Sequence, residues 1–275
     1  MNRKPFAFFL TFLFLTFELF ATQSSPWFGR DKEIELRGVY LYQNSREIPL
    51  KSKKLNLKRE RSLANFSLAV SPTANWSTEL ELALGKVKDQ SSFTLSSTKL
   101  TARRQFYNDL IGDAVSLTGG FSTTFSNPKH MFNAFNIPYS DANAEVHLAF
   151  GKEKTLRDSY SRRYYGLIAY GVKNKGPSWV RLKLNLEKNF RDKLRLEIFT
   201  EGAIGIGKEH QLVEYHSDQD FARNNFKFLD LGLKFHYPVD FIGEWNLTVL
   251  KRIHGKYVPS KSFAVNLAFF IPFFP

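Results

Sequence analysis

The amino-acid sequence predicts an all-β fold, a transmembrane antiparallel up-and-down β-barrel of about twelve strands. The first observation is that about twelve short segments carry apolar side chains at every second position, which is the period of a β-strand. The second is that the connections between these segments alternate between short turns and longer polar loops. The third is the final stretch, 262–275, which has one strongly apolar face and one small, polar face.

The individual strands differ in how regular their alternation is. The eighth is very regular, with Val180 and Leu182 opposite Arg181 and Lys183. The fourth is the least regular, because its alternation slips near residues 96–97. In chain order the predicted strands are 33–42, 63–70, 76–84, 94–106, 115–123, 143–150, 164–172, 180–187, 194–206, 229–237, 241–249 and 262–275.

The connections predict the orientation of the barrel. Those after strands two, four, eight and ten are short, and those after the odd-numbered strands are on the whole longer and more polar or basic. Short periplasmic turns and longer outer loops produce this asymmetry, so we expect both termini in the periplasm. The charged connection 152–163, after strand six, breaks the rule.

The first residues predict export. Asn2, Arg3 and Lys4 form a basic region, and the apolar run 6–17 is too short to span a bilayer but suits a secretory signal. We therefore expect a signal peptide over 1–21 and a single barrel domain over 22–275. This targeting argues against nucleic acid as the partner, despite the net charge of +13. The chain has no Cys, which excludes disulfides and thiolate metal sites.

The final strand resembles the C-terminal strand of the Gram-negative outer-membrane β-barrels. This resemblance implies an outer-membrane location, contact with membrane lipids and lipopolysaccharide, and recognition of the aromatic end by the barrel-assembly machinery. One departure is that Pro275 follows the last aromatic residue. The alternative is a soluble secreted β-sandwich or barrel, because alternation alone does not say which face meets water. The candidate assembly signal comprises Leu267, Phe269, Ile271, Phe273 and Phe274.

If the apolar rows face lipid, the polar rows face a lumen. Mixed charges there could line an aqueous passage for small solutes, or pair with each other and fill the interior. We therefore expect a porin-like passive channel or a passive surface protein, with no cofactor or metal. The candidate lumen-lining residues are Glu35, Arg37, Glu79, Glu81, Glu145, His147, Arg181, Lys183, Arg195, Glu197, Glu201, Asp230, Lys234 and Glu244.

A barrel-embedded lipid hydrolase is an alternative. Outer-membrane phospholipase A carries a His-x-Ser pair on a strand, whereas His147 here is followed by Leu148 and Ala149. His147 beside Glu145 could form an acid–base pair, although a single lumenal His is more often structural. A loop group of His210, His216 and Asp218 has no fixed ligand spacing for a metal. The sequence therefore predicts no enzyme.

The segment 43–61 is predicted to be a long basic outer loop. Its charges could engage lipopolysaccharide or host polyanions, which makes a surface adhesin the second alternative, or they could simply be solvated. The candidate basic-loop residues are Lys51, Lys53, Lys54, Lys58, Arg59 and Arg61.

Overall fold

The chain forms a closed β-barrel in which every neighbouring pair of strands is antiparallel. A computed structural model describes residues 25–51, 53–87, 92–127, 135, 137–156, 159–190, 192–207, 214, 216, 219–239 and 243–273. The predicted signal segment, 1–21, lies outside these residues. The strands are β1 (Ile34–Pro49), β2 (Lys54–Thr73), β3 (Trp76–Val87), β4 (Thr94–Tyr107), β5 (Ser116–Ser126), β6 (Ala142–Leu156), β7 (Ser159–Lys173), β8 (Ser178–Phe190), β9 (Leu194–Ile206), β10 (Lys227–Val239), β11 (Gly243–Lys256) and β12 (Phe263–Phe273).

Sequential strands are neighbours, and the barrel closes where β12 pairs with β1. The register of this closing pair runs from Ile34 opposite Phe273 to Asn44 opposite Phe263. Two short helical elements are described, the 3₁₀ turn Asp109–Ile111 and the helix α1 (Gln219–Arg223). Within the part of the chain that the structure describes, no helix is long and apolar enough to cross a membrane. The predicted all-β up-and-down barrel is confirmed.

The apolar rows of the strands lie on the outer face. On β8, Leu182, Leu184 and Leu186 are each more than two-fifths exposed, whereas Arg181 and Glu187 on the other side are buried. The same arrangement recurs around the barrel: along the strands, polar side chains that point inward alternate with large apolar side chains that point outward. Such an outer face is suited to lipid and not to water.

We call the two ends of the barrel the turn end and the loop end. The turn end carries the links that follow the even-numbered strands and both ends of the barrel sheet, at Ile34 and Phe273. The loop end carries the links that follow the odd-numbered strands, including the longest ones, 127–141 and 207–226. Which end faces the periplasm stays a prediction.

Two predicted connections are wrong. The basic segment 43–61 is mostly strand, because β1 continues to Pro49 and β2 begins at Lys54. The connection 152–163 is also mostly strand, so β6 and β7 are joined by a two-residue link and the exception to the short-turn rule disappears. In both cases the strands continue with charged residues on both faces. Because no sustained row of apolar side chains recurs at every second position there, the sequence gives no sign of a strand.

Side chains of the loop between β5 and β6 fold into the barrel at the loop end. Phe135, from the loop between β5 and β6, packs against inner-wall residues of β1, β2, β9, β11 and β12. Ile137 belongs to a second cluster with Trp179 and Phe226. The end of this loop is fixed by Asn143, whose side chain accepts a hydrogen bond from Ser140 N–H at 2.9 Å and donates one to the Ser140 carbonyl at 2.8 Å.

Candidate functional site in the barrel interior

A cavity of about 290 Å³ lies inside the barrel towards the turn end. Residues of the segment before β1 and of strands β1 and β7 to β12 line it. The charged and titratable residues in its wall are Arg37, Arg163, Lys183, Glu187, Arg195, Glu197, Lys234, His236 and Glu244, and the inward aromatic ones are Trp27, Tyr165, Phe199 and Phe270.

Glu197 and Glu244 organise the charges of this cavity. The His236 ring contacts both, with Nε2 at 3.1 Å from Glu197 Oε2 and Nδ1 at 2.7 Å from Glu244 Oε1. Arg195 pairs with Glu244 from the other side. Lys234 Nζ approaches Glu197 Oε2 at 3.8 Å, which is a loose contact. The lysine ammonium group is thus held near the cavity without a short hydrogen bond to this carboxylate.

Lys183 is the second loosely held lysine of the cavity. Its Nζ atom lies 3.9 Å from Glu201 Oε2 and 4.5 Å from the centre of the Phe199 ring. The aromatic face attracts the ammonium group electrostatically. Lys183 and Lys234 therefore supply positive charge to the cavity with little geometric constraint.

Two further ion-pair groups lie on the inner wall beyond the cavity. Arg181 Nη2 donates to Glu145 Oε1 at 2.6 Å, its Nη1 donates to Glu201 Oε1 at 3.2 Å, and Trp179 Nε1 donates to Glu145 Oε2 at 3.1 Å. Arg252, fully buried, binds both oxygens of Asp230 at 2.7 and 2.8 Å. A buried charge needs such partners, because leaving one unpaired costs several kcal/mol, about 3–5 in measured cases.

A third group joins strands β1 and β3. Arg37 donates from Nη1 to Glu79 Oε1 at 2.9 Å and also pairs with Glu35. Glu81 on the same inner row accepts a hydrogen bond from Asn65 at 2.6 Å. The interior is thus crossed by polar contacts between strands.

The structure places every candidate lumen residue on the inner wall, buried or half-buried, opposite exposed apolar neighbours. It brings them into separate groups: Arg37 with Glu35 and Glu79, Arg181 with Glu145 and Glu201, and Glu197 with Lys234. Whether they line an open passage stays a prediction. Strands β8 and β9 are linked across the inner wall by Arg181 and Lys183, which both pair with Glu201.

The basic group around the first hairpin is less uniform than predicted. Lys51 and Lys53 lie in the link between β1 and β2, whereas Lys54, Lys58 and Arg59 lie within β2. Arg61 is wrong as a surface residue, because it is on the inner face of β2 and only 1% exposed. The lysines 51, 53, 54 and 58 are exposed.

The final strand turns four of its five candidate assembly residues outward. Leu267, Phe269, Ile271 and Phe273 alternate with the inward Ala268, Phe270 and Pro272, and Phe274 lies outside the described residues. Their recognition by an assembly machinery stays a prediction.

Several interior residues were missed from the sequence. Lys99 and Arg103 lie on one buried row of β4. The slip at 96–97 that precedes them is a β-bulge, because the register between β3 and β4 shifts there, between Ala83 and Leu84. Arg163 and Arg252 fell in segments interpreted as connections, and Glu187 was on a recognised polar row and could have been included.

One set of possible metal ligands is present among the described residues. Carboxylate and imidazole atoms of Glu187, Glu197 and His236 come within 4.8 Å of one another. Three cations lie within 4.0 Å of the same carboxylates: Arg163 and Arg195 near Glu187, and Lys234 near Glu197. These carboxylates are already paired with cations, so a divalent ion would have to displace them. Of the predicted loop group, His210 and Asp218 lie outside the described residues.

His147 lies on the same inner row of β6 as Glu145. It is 3% exposed, and neither ring nitrogen has a hydrogen-bond partner among the described residues. Gly120 on the neighbouring strand gives the ring its space, since a Cβ atom there would stand 2.2 Å from Nε2. The pair shows no contact that would make it an acid–base couple.

No family model matches the sequence, and no curated protein matches it. Among solved structures, an outer-membrane channel from Pseudomonas putida F1 is similar with a TM-score of 0.60 at 12% identity, over 93% of this chain and 100% of that one. The NanC porin is similar with a TM-score of 0.57 at 6% identity, over 86% of this chain and 98% of that one. At these identities the likeness shows the fold alone.

The closed twelve-strand barrel with its apolar outer face thus has the fold of the outer-membrane β-barrels, which is the fold expected from the final strand. The neighbours are named as a channel and a porin, and the chain has a porin-like barrel. The predicted outer-membrane location agrees with this fold.

Proposed function

We propose that the protein is a passive channel for small hydrophilic solutes across the outer membrane. The observation that carries the proposal is the charged cavity enclosed by a polar inner wall, in a barrel whose outer face is apolar. Polar lining replaces part of the hydration shell of a solute that crosses the hydrocarbon region. The names of the similar structures support the same class of function.

The cavity favours anions over cations. Five basic side chains line it, against three acidic ones, and the two lysines are only loosely paired. A low-dielectric wall strengthens the local potential of such an excess, which raises the concentration of counter-ions. We therefore propose a moderate selectivity for small anions.

Planar-bilayer recording of the refolded barrel tests both statements. We expect discrete conductance steps and, in a salt gradient, a reversal potential on the anion-selective side. Replacing both Lys183 and Lys234 by Gln should shift that potential towards cations. The matched control is Lys251→Gln, because Lys251 is an exposed lysine on the outer face of β11. A correctly folded barrel without any conductance would refute the channel and favour a passive structural role.

The exposed lysines at the loop end belong to a separate, untested expectation. Lipopolysaccharide carries phosphate groups that Lys51, Lys53, Lys54 and Lys58 could bind electrostatically. Nothing in the comparisons supports the adhesin or the hydrolase alternative. Salt-sensitive retention on immobilised lipopolysaccharide, lost on replacing these four lysines by Gln, would establish the contact.

A further inference from the structure

The segment before β1 enters the barrel. Residues 25–30 lead into the first strand, yet residues 25–28 contact β4, β5, β6 and β7, on another part of the wall. Pro26 and Trp27 are buried there, and Trp27 is 7% exposed. A tryptophan this buried needs a partner for its indole N–H.

The wall holds the backbone of the segment by hydrogen bonds. Thr118 Oγ1 donates to the Pro26 carbonyl at 2.7 Å, and Gln105 Nε2 donates to the same oxygen at 3.1 Å. Arg103 donates to the Ser25 carbonyl and places its guanidinium 4.9 Å from the centre of the Phe28 ring. Donors from two strands thus converge on two successive carbonyl groups.

Trp27 fills a slot made for its ring. Its Nε1 atom donates to Asp109 Oδ1 at 2.9 Å, in the 3₁₀ turn between β4 and β5. The Arg163 guanidinium lies 4.9 Å from the centre of the indole ring, and the ring of Tyr165 meets it edge-on at 5.8 Å. Polar, cationic and aromatic contacts therefore all act on one side chain.

The wall also leaves space for the segment. A Cβ atom at Gly151 of β6 would lie 2.9 Å from Pro26 Cγ, 3.0 Å from Trp27 Cη2 and 2.9 Å from Cβ of Tyr165, which itself contacts Trp27. Any other residue at this position would collide with the segment. The missing side chain complements the proline and indole rings.

We propose that the inner wall at the turn end is a binding site for the chain's own Ser-Pro-Trp-Phe segment, residues 25–28, and that the bound segment narrows the passage. The ligand class is a short extended peptide with a proline followed by a tryptophan. The segment borders the cavity through Ser25 and Trp27, so its release would widen the turn end. The narrowing rests on the proposed channel, whereas the binding does not.

Conductance measures the narrowing. Trp27→Ala removes the indole contacts and should raise the single-channel conductance severalfold. The matched control is Trp76→Ala, because Trp76 is on the outer face at the same end and 44% exposed. It should leave the conductance unchanged. Equal conductance of wild type and Trp27→Ala, in barrels that conduct, would overturn the narrowing.

Thiol labelling measures the binding without any channel activity. The chain has no Cys, so Ser25→Cys introduces a single thiol. Its reaction with a water-soluble maleimide should be at least about tenfold slower than that of the thiol introduced by Lys175→Cys, a substitution at an exposed position. Adding Trp27→Ala, or Thr118→Val on the wall, should accelerate it.

The two readouts separate the two proposals. Rapid labelling of the Ser25→Cys variant, in the otherwise native chain, would overturn the binding site. Slow labelling that the wall variant accelerates would support the site even in a barrel that shows no conductance, and that result would refute the channel alone. Thr118→Val keeps the test valid if Trp27→Ala does not fold, since it removes only one hydroxyl group.

Discussion

At the scale of single residues, buried ion pairs stabilise the interior of the barrel. Arg252 is fully buried, and both oxygens of Asp230 accept hydrogen bonds from it. The Arg252 guanidinium also donates to the Pro259 carbonyl at 3.0 Å and lies 4.6 Å from the centre of the Phe228 ring. Breaking such a pair is costly because the remaining charge stays in a place from which water is largely excluded.

We expect Asp230→Ala to lower the free energy of unfolding by about 3–5 kcal/mol, since the buried guanidinium loses its carboxylate. Denaturant unfolding in lipid, followed by tryptophan fluorescence, measures the change. Asp141→Ala is the control, because its pair with Lys175 is solvent-exposed and should contribute nothing measurable. The double variant Asp230→Leu with Arg252→Met should recover much of the stability, and equal effects of Asp230→Ala and Asp141→Ala would contradict the argument.

We expect Asp109 to hold Trp27 independently of pH in the neutral range. Burial alone would raise the pKa of Asp109, but hydrogen bonds from the Ser116 hydroxyl, the Glu153 N–H and the Trp27 indole outweigh it and lower the pKa below its ordinary value. A lowered pKa in the folded state means that the carboxylate stabilises the fold fully above the ordinary value and loses this contribution as the pH falls through the lowered one.

The labelling rate of the Ser25→Cys variant, relative to the exposed reference thiol, should therefore stay constant between about pH 5 and pH 8. Adding Asp109→Ala should accelerate the labelling at every pH in this range, because three hydrogen-bond donors lose their acceptor. A marked rise in relative labelling of the variant with Asp109 intact, on going from pH 8 to pH 5, would show that another group controls the docking.

At the scale of elements, alternation predicted the strands wherever one face meets lipid. The bounds of β9 agree with the prediction, and the slip in β4 corresponds to a bulge. The strands were predicted too short where they continue with charged residues beyond the apolar band, as in β1, β2, β6 and β7. There both faces are polar or solvated. The backbone stays extended because of hydrogen bonds between strands, and not because an apolar face is buried.

The outward row of β12 should tolerate charge according to depth. Leu267, near the middle of the strand, is 47% exposed and lies between outward Tyr40 and Leu247. Leu267→Arg should cost about 2–4 kcal/mol, because the guanidinium would enter the hydrocarbon region, whereas Phe263→Arg at the strand's end should cost about 0–1.

Reversible unfolding in phospholipid vesicles measures both changes. Phe263 is similarly exposed on the same face, so it is a control that differs from Leu267 mainly in its depth. If Leu267→Arg were as mild as Phe263→Arg, the outward row would not lie in a membrane.

At the scale of the whole molecule, the charges of the interior were predictable but their contacts were not. The row of Arg181 and Lys183 is visible in the sequence of a single strand. The pairing of Arg181 with Glu145 is not visible there, because β7 lies between the strands that carry them and their arrangement is known only from the barrel. The inward Phe135 and Trp27 gave no periodic signal, because each lies outside a strand and is positioned by contacts distant in sequence.

The closed sheet should make the folded chain resistant to sodium dodecyl sulfate. Because β12 pairs with β1, the described barrel has no free strand edge at which unfolding could start. We expect the unboiled refolded chain to migrate faster on a gel than the boiled one. Identical migration, with a β-rich circular dichroism spectrum in plain buffer, would indicate a soluble β protein.

Three ion pairs of the interior join strands that are not neighbours: β1 to β3 through Arg37, β6 to β8 through Arg181, and β9 to β11 through Arg195. Hydrogen bonds between adjacent strands fix their spacing but leave the outline of the barrel free to flatten. These three links, each of which spans one intervening strand, resist that flattening. In the proposed channel these links should keep the open-state current steady, and Glu79→Ala, which removes the link between β1 and β3, should increase the current noise without changing the mean current.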